Sequence, residues 1–380
     1  MVDYSISTRG IVTSEPKDGR PSWSLQDLKV REPKEDELLV RVVASGVCHT
    51  DLVISMAPPE MGNYPKVLGH EGSGIVEKVG SKISHAKDGD FVLLSFDYCG
   101  KDSCYNCSSE TPGYCPEFMM LNIACHPAIF QGQDGSATAG HFFGQSSFAN
   151  YAIVKGTSAL NVTGSVNEEE LKLFAPFGCG FQTGAGAVTE LANATGKDQI
   201  AVFGLGGVGM VALMAAKIRG CRTIIAVDRV QSRLEVAKSV GATHTIDTSG
   251  FQNLEEDLAR AIKDISPLGT NISIDTTGVL DIVKAGVQAL SPRGQMILIG
   301  IMYGLTLPVD LSDLLASGKS IRGCIEGNVK PQKFIPQMIQ WYREGKLPIE
   351  KLIKHYPVDN FEQALGDMHT GATIKPILLW

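Results

Sequence analysis

Two sets of cysteines in this 380-residue chain have the spacing of metal ligands. One set is dispersed: Cys48 and Cys179, with His70 between them in the sequence. The other is a tight cluster of four thiols, Cys99, Cys104, Cys107 and Cys115. Four thiolates suit a closed structural Zn²⁺ site, whereas two thiolates and one imidazole suit a catalytic zinc that keeps one position open. The sequence therefore predicts two zinc sites in each chain.

Each set also has a plainer interpretation. The cluster could be free surface thiols, but four exposed thiols within 17 residues would invite oxidation, so metal binding is favoured. A buried Cys or a hydrogen-bonded His is common in any core. The surroundings favour ligands for the dispersed set, because Thr50 follows Cys48 by two residues and His70 lies in a glycine-rich turn. The other three cysteines are interpreted as core residues: Cys125, Cys221 and Cys324.

A glycine-rich loop forms a third motif. Its residues are Gly204, Leu205, Gly206, Gly207, Val208 and Gly209. An apolar strand (200–203) precedes the loop, a helix is predicted to begin near Val208, and Asp228 closes the next strand. This context predicts a dinucleotide site with the pyrophosphate at the start of the helix. A carboxylate at 228 can bind the adenosine ribose and repels a 2′-phosphate, which favours NAD as the cofactor. The adjacent Arg229 leaves NADP as the alternative cofactor.

The elements that must position these residues change type along the chain. The first half has short β-branched runs such as 38–44 and 74–80, separated by Gly, Pro and Asp, and predicts a β-rich region. From about Leu171, strands alternate with helices, which predicts a parallel sheet covered by helices. The predicted strands are 199–203, 223–227, 272–275 and 295–300, and the predicted helices are 209–220, 232–240, 280–290 and 332–345; the chain ends on a short apolar run at 377–380.

Bulk composition narrows the class of protein. The length predicts two or three domains, and 43% hydrophobic residues suffice for globular cores. The net charge of −7 is spread along the chain, so nucleic acid and anionic membranes are not expected partners. The first residues lack a signal-peptide pattern, and no apolar run approaches the ~20 residues of a membrane span. We therefore expect a cytoplasmic protein.

Four segments resemble the zinc-containing medium-chain alcohol dehydrogenases: 46–51, 69–74, 141–148 and 178–186. The last two are most similar to the benzyl or aryl alcohol dehydrogenase branch. The resemblance covers essentially the whole chain and implies an α/β protein. A GroES-like, β-rich catalytic domain (1–180 and 324–380) would surround a Rossmann domain (181–323) with a doubly wound parallel sheet, and the active site would lie in the cleft between them.

By the same resemblance, Cys48, His70 and Cys179 become the catalytic zinc ligands. Glu71 would lie near the metal, Asp51 would hold the His70 ring, and Thr50 would pass on the proton that the alcohol loses. The resemblance also implies a set of residues at the cofactor: His49, Thr183, Gly204, Gly206, Gly207, Val208, Gly209, Asp228, Arg229, Arg233, Thr277, Ile301 and Lys375.

The resemblance further implies an apolar, aromatic substrate pocket. Its predicted residues are Phe96, Met120, Phe142, Phe143, Ile301 and Ile325. Such a slot favours benzylic, allylic or other bulky primary alcohols and their aldehydes. Segment 305–315 lies where the family pairs edge strands, so a homodimer or a homotetramer is expected.

Three functions therefore stay open at this point. The first is an NAD-dependent zinc alcohol dehydrogenase. The second is a zinc-fold reductase of a specialised biosynthetic carbonyl or a conjugated C=C bond, because Val53 stands where many family members have a proton-relay histidine. The third is a non-catalytic NAD-binding protein. The intact set of Cys48, His70 and Cys179, with Thr50, favours the first.

Overall fold

The computed structural model describes residues 3–59 and 63–380. Residues 1, 2 and 60–62 of the predicted catalytic domain lie outside the described part. The chain divides into two compact units. Unit 1 contains Met1–Gly180, Lys330–Ile335 and Ile353–Trp380, and unit 2 contains Phe181–Val329 and Pro336–Leu352. Among the described residues, no helix is both long and apolar enough to cross a membrane.

Unit 1 is built from two β-structures. Five strands form a closed barrel in the order β1-β2-β7-β8-β4, and a second sheet has the order β10-β6-β5-β3-β18-β17, with β9 also paired to β3. The strands are β1 Ile6–Lys17, β2 Arg20–Val30, β3 Glu37–Gly46, β4 Lys66–Val67, β5 Glu71–Val79, β6 Phe91–Leu94, β7 His126–Gly132, β8 Ala137–Gly140, β9 Tyr151–Lys155, β10 Ala159–Asn161, β17 Ile353–Pro357 and β18 Lys375–Leu379. The expectation of a β-rich first half is confirmed.

Strand β3 is central to this second sheet. It pairs with β5, β9 and β18, and every residue from Leu38 to Gly46 except Arg41 is buried. Arg41 instead donates to Glu77 on β5. A strand with apolar neighbours on both faces must carry a nearly continuous apolar run, which the sequence supplies. The late strand β18 therefore completes a sheet whose other members come mainly from the first half of the chain.

Unit 2 contains a six-stranded parallel sheet in the order β13-β12-β11-β14-β15-β16. Its strands are β11 Gln199–Phe203, β12 Thr223–Asp228, β13 His244–Asp247, β14 Thr270–Asp275, β15 Leu290–Leu298 and β16 Ser320–Gly323. This 3-2-1-4-5-6 order is that of dinucleotide-binding sheets, whose ligands lie at the carboxyl ends of the strands where the order reverses. Here that point is between β11 and β14, so the predicted doubly wound sheet is confirmed.

The helices are mostly short in the first half of the chain and longer in the second. Those with described bounds are α1 His49–Ser55, α2 Tyr105–Ser108, α3 Phe118–Asn122, α4 Glu168–Phe174, α5 Gly180–Gly186, α6 Gly207–Ile218, α7 Gln231–Val240, α8 Leu254–Ile265, α9 Leu280–Gln288, α10 Leu311–Ser317, α11 Pro331–Arg343 and α12 Phe361–Thr370.

Among the predicted strands, the one at 295–300 differs most from its observed bounds. Residues 295–300 were expected, whereas β15 begins at Leu290 and ends at Leu298. Pro292 and Gly294 make the first half of β15 look like a turn. The structure accommodates them with a register shift, since Thr270 pairs with Leu290 but Ile272 pairs with Gln295.

Candidate active site and metal centres

The dispersed ligand set converges in unit 1. Cys48 immediately precedes α1, His70 immediately precedes β5, and Cys179 immediately precedes α5. Their ligand atoms all lie within 4.8 Å of one another. His70 and Cys179 are buried and Cys48 is partly buried. Residues distant in the sequence thus form one group of two sulfurs and one nitrogen.

Asp51 holds the His70 ring in place. Its Oδ1 lies 3.0 Å from Nδ1 of His70 and accepts from the Gly69 backbone N–H, while Oδ2 accepts from the Cys48 backbone N–H at 3.0 Å. The other ring nitrogen, Nε2, is buried and has no hydrogen-bond partner among the described residues. Metal-binding histidines typically donate one nitrogen to a carboxylate and keep the other for the metal. The orientation of His70 fits that pattern.

The protonation states also suit a metal. Hydrogen bonding with Cys179 and the charge of His70 hold the pKa of Cys48 well below its usual value, although burial opposes this. A thiolate is the form of cysteine that binds metals. Three protein ligands of this kind fit a catalytic-type zinc. Thr50 lies close by, with its Oγ1 3.8 Å from Sγ of Cys48.

A buried ion pair lies beside this group. The Glu71 carboxylate accepts from Lys375 Nζ at 2.8 and 2.9 Å and from the Gly180 backbone N–H at 3.2 Å. Lys375 also donates to the Val47 carbonyl. Burial by itself would lower the pKa of Lys375, but the neighbouring acidic groups, Glu71 first among them, together outweigh burial and raise that pKa. Glu71 therefore lies in an ion pair and not in the group of potential ligands, and Lys375, a predicted cofactor residue, is its partner.

The clustered thiols form a second group in unit 1. The sulfur atoms of Cys99, Cys104, Cys107 and Cys115 all lie within 4.8 Å of one another, with 3.7 Å between Cys99 and Cys107. The spacing from Cys99 to Cys104 is longer than that from Cys104 to Cys107. It is accommodated by a turn in which Gly100 has φ +61° and the Cys104 N–H donates to the Lys101 carbonyl. The Cys107 backbone N–H lowers the pKa of Cys104 to about 7. Four such ligands fit a closed structural zinc site.

The glycine loop follows β11 in unit 2. Gly204 has φ +85°, a backbone conformation that favours glycine. A Cβ atom at Gly209 would collide with the Gly204 carbonyl oxygen. At Gly206, by contrast, an added Cβ would meet no atom of the described residues within 4 Å, so a ligand can approach the backbone there. Helix α6 begins at Gly207, so the loop presents the helix N-terminus, as phosphate-binding loops do.

Asp228 ends β12 next to this loop. Its Oδ2 accepts from the Leu205 N–H at 2.7 Å and lies 3.9 Å from Nη1 of Arg233, while its Oδ1 accepts from the Val230 N–H. Arg229, the residue that leaves NADP as an alternative cofactor, is exposed. The acidic residue is thus fixed at the carboxyl end of the strand beside the glycine loop, where a ribose-binding carboxylate belongs.

The remaining predicted cofactor residues are distributed over both units. After β14, Thr276 Oγ1 donates to the Gly204 carbonyl, which places the neighbouring Thr277 next to the glycine loop. Thr183 is buried in α5. In unit 1, His49 is exposed at the start of α1.

The predicted substrate-pocket residues separate into two groups. In unit 1, Phe143 stacks on the His70 ring with centroids 4.5 Å apart, and Phe142 meets the same ring edge-on at 5.3 Å. Phe118, which the sequence did not indicate, contacts Phe143 and also Phe96. Met120 is 69% exposed in α3. The half-exposed Ile301 and Ile325 belong to unit 2.

Sequence reasoning assigned no role to Gln145, although this buried residue lies in segment 141–148, which carries part of the family resemblance. Its side chain bonds to His70, Gly72 and Ser95. The sequence feature that could have indicated its role is the presence of one amide side chain among the small and aromatic residues of segment 141–148. Buried amides of this kind are satisfied by hydrogen bonds in native structures.

Comparison with known proteins places this chain in a family. Residues 34–164 match the alcohol dehydrogenase GroES-like domain and residues 207–344 match the zinc-binding dehydrogenase domain. Geraniol dehydrogenase of Castellaniella defragrans is 37% identical, with 94% of each chain covered. The chain belongs to the zinc-containing medium-chain alcohol dehydrogenases, and it is a zinc-dependent alcohol dehydrogenase.

Two solved structures are similar over nearly the full length. An alcohol dehydrogenase zinc-binding domain protein from Burkholderia ambifaria has a TM-score of 0.91 at 39% identity, covering 98% of both chains. Benzyl alcohol dehydrogenase from Acinetobacter calcoaceticus has a TM-score of 0.87 at 40% identity, covering 98% of this chain and 99% of that one. The predicted fold class, a GroES-like domain with a Rossmann-type sheet, is therefore confirmed.

Proposed function

We propose that this protein transfers hydride between NAD(H) and a primary alcohol or aldehyde with an aromatic, allylic or otherwise bulky substituent. The observation that carries the substrate class is the aromatic wall beside the metal group, where Phe142 and Phe143 both contact the His70 ring. Apolar and aromatic linings favour ligands of matching surface. The similarity to proteins named for geraniol and benzyl alcohol supports the same class.

In this proposal, Cys48, His70 and Cys179 hold the catalytic zinc, which supplies Lewis-acid polarisation of the substrate oxygen. Asp51 fixes the tautomer and orientation of His70. The Thr50 hydroxyl, next to Cys48, receives the proton that an alcohol must lose. Val53, three residues further along α1, has no ionisable group, so the relay passes through Thr50 to the cofactor ribose instead of through a histidine.

For the cofactor, we propose NAD held at the glycine loop. The pyrophosphate lies against Gly206 and the N-terminus of α6, and Asp228 binds the adenosine ribose. The carboxylate disfavours the 2′-phosphate of NADP by charge repulsion. We propose that the other predicted cofactor residues, including Thr277 and Arg233, also lie at the bound cofactor.

The test is metal analysis of the wild type, Cys179→Ser and Cys104→Ser, each assayed at the NADH absorbance band with benzyl alcohol, geraniol and ethanol. We expect about two zinc per wild-type chain and about one in each variant. Cys179→Ser should be folded and inactive, and Cys104→Ser should lose stability. Turnover of the bulky alcohols should exceed that of ethanol. Two zinc without alcohol oxidation would favour a reductase of another carbonyl or a C=C bond.

We also propose a homodimer or homotetramer in the cytoplasm. Segment 305–315 precedes the edge strand β16 and exposes Leu305, Leu311 and Leu315, the last to 87%. Exposed apolar residues grouped in this way typify protein interfaces. All nine cysteines lie in the described residues and none forms a disulfide, which suits a reducing compartment. We further propose that residues 1–180 and 324–380 form the catalytic domain and that residues 181–323 form the Rossmann domain.

A further inference from the structure

Gln145 is a fully buried amide that connects three backbone segments around the proposed catalytic site. Its Nε2 donates to the His70 carbonyl at 2.9 Å and to the Ser95 carbonyl at 3.0 Å. Its Oε1 accepts from the Gly72 N–H at 3.0 Å. One side chain thus binds the residue that supplies the imidazole, the strand that follows it, and the segment after β6.

The connection continues to the second thiol. Ser95 Oγ donates to the Gly178 carbonyl at 2.6 Å, and Gly178 immediately precedes Cys179. Space around this path is tight, since a Cβ at Gly72 would come within 2.9 Å of Gln145 Oε1. A continuous set of hydrogen bonds therefore runs from His70 through Gln145 and Ser95 to the residue before Cys179.

Gln145 belongs to a segment, residues 141–148, that we call the His70 brace. The Ser147 N–H donates to the Gly69 carbonyl at 2.9 Å, and Phe143 stacks on the His70 ring. His141, Phe143 and Ser146 all have positive φ. Non-glycine residues seldom adopt that conformation unless the surrounding structure enforces it, and they concentrate at functional sites.

We propose that Gln145 is a positioning residue for the catalytic zinc, holding the His70 and Cys179 segments at the separation that the metal requires. The inference rests on the proposed metal site at Cys48, His70 and Cys179. Outer-shell groups orient metal ligands, and their loss typically costs 10–100-fold in metal affinity. Gln145 contacts the backbone of His70 directly and reaches the segment of Cys179 through Ser95, so its effect is on the placement of the ligands and not on the reacting atoms.

The chemistry of the site requires an amide at this position. Two carbonyl oxygens and one N–H must be satisfied, and glutamine offers two donors and one acceptor. Methionine has a similar shape but leaves all three groups unsatisfied. Glutamate keeps the acceptor for Gly72 but, when ionised, offers no donor to the carbonyls of His70 and Ser95. The two substitutions therefore remove the same connection by different means.

The experiment compares wild type, Gln145→Met and Gln145→Glu as full-length chains. Asn122→Leu is the matched control, because Asn122 is also fully buried and makes the same three kinds of bond, donating to the Asp97 and Phe118 carbonyls and accepting from the Asp97 N–H. Zinc affinity is measured by competition with a chelator. The cobalt(II)-substituted proteins are compared by their visible spectra, which report ligand geometry. Unfolding midpoints are recorded for all four proteins.

We expect one of the two zinc ions to bind about 10–100-fold more weakly in both Gln145 variants, with altered cobalt bands. Asn122→Leu should leave the affinity and cobalt bands of the His70 site within about twofold of wild type. Equal loss of stability in all variants, with wild-type affinity and spectra in Gln145→Met or Gln145→Glu, would overturn the inference alone. A wild type that binds only one zinc would overturn the proposed function and the inference together.

Discussion

At the scale of the residue, the two ring nitrogens of His70 have different surroundings. Nδ1 faces Asp51 at 3.0 Å, whereas Nε2 lies beside the two thiols and is without a hydrogen-bond partner among the described residues. Burying a polar atom without a hydrogen-bond partner raises the free energy of the folded state, and a metal ion bound to Nε2 would remove that penalty. The sequence predicted His70 and Asp51 through the resemblance of their motifs. It could not indicate Gln145 or Phe118, because their contacts arise from long-range packing.

Replacing Asp51 with Asn should weaken metal binding at the His70 site. The change removes the negative charge that orients the ring and raises its basicity, so we expect about a 10–100-fold loss of zinc affinity. Chelator competition measures this loss. Asp90→Asn is the control, because Asp90 is a buried carboxylate that accepts from the Lys87 N–H and from Asn161, away from the ligands. Equal losses in both variants would contradict the expected role of Asp51.

Acid should destabilise unit 1 through Glu37. Burial by itself would raise the pKa of this carboxyl, but hydrogen bonds from Arg31 and from the Lys34 N–H, together with nearby positive charge, outweigh burial and hold it at about 2, against 4.5 without these interactions. The folded-state pKa is thus the lower one. The stabilisation is complete above about pH 5 and is lost as the pH falls towards 2, by up to ~3 kcal/mol.

Denaturant unfolding of wild type and Glu37→Gln between pH 2 and 7 measures this effect. The variant should be less stable at neutral pH, by about 3–5 kcal/mol, because Arg31 keeps a buried charge without its partner. It should also show a smaller change in stability below pH 5. Glu77→Gln, which removes an exposed ion pair with Arg41, should keep the wild-type pH dependence. An unchanged acid slope in Glu37→Gln would refute the assignment.

At the scale of the element, the turn between β11 and α6 has separable structural and binding roles. Gly209→Ala should lower both stability and NAD affinity, because the added methyl group collides with the Gly204 carbonyl. Gly206→Ala should leave stability nearly unchanged, since the methyl group enters open space, but it should lower NAD affinity at least about tenfold by blocking the pyrophosphate. Thermal unfolding with and without NAD, and calorimetric titration, separate the two effects.

Elements with regular patterns were predictable from the sequence, and those that depend on tertiary pairing were not. Strand β11 was predicted at its observed bounds because its apolar run ends in the glycine loop. The start of β15 was missed because Pro292 and Gly294 normally interrupt strands, and the register shift that accommodates them depends on the partner strand. The grouping of Cys48, His70 and Cys179 was predicted from their residue types and from the family resemblance, and not from local periodicity.

At the scale of the whole molecule, both groups of potential metal ligands lie in unit 1, while unit 2 has a core of its own around β11, β12 and β15. Removing zinc with a chelator should therefore raise amide hydrogen exchange in unit 1, near residues 99–115, by more than about tenfold, with less effect on β11–β15. Metal-binding free energy contributes directly to the stability of the segment that is bound. Hydrogen exchange followed by mass spectrometry tests this. Equal loss of protection in both units would contradict it.

The position of β18 has a consequence for biosynthesis. This strand pairs with β3, and its Lys375 neutralises Glu71 beside the proposed catalytic site. The ribosome makes the thiols and Glu71 early, and then makes all of unit 2 before it reaches β18. At about 5–20 residues per second, the interval between the synthesis of Cys179 and that of Lys375 is on the order of 10–40 s. During translation, unit 2 can therefore fold while the sheet of unit 1 still lacks a central strand and Glu71 lacks its cation.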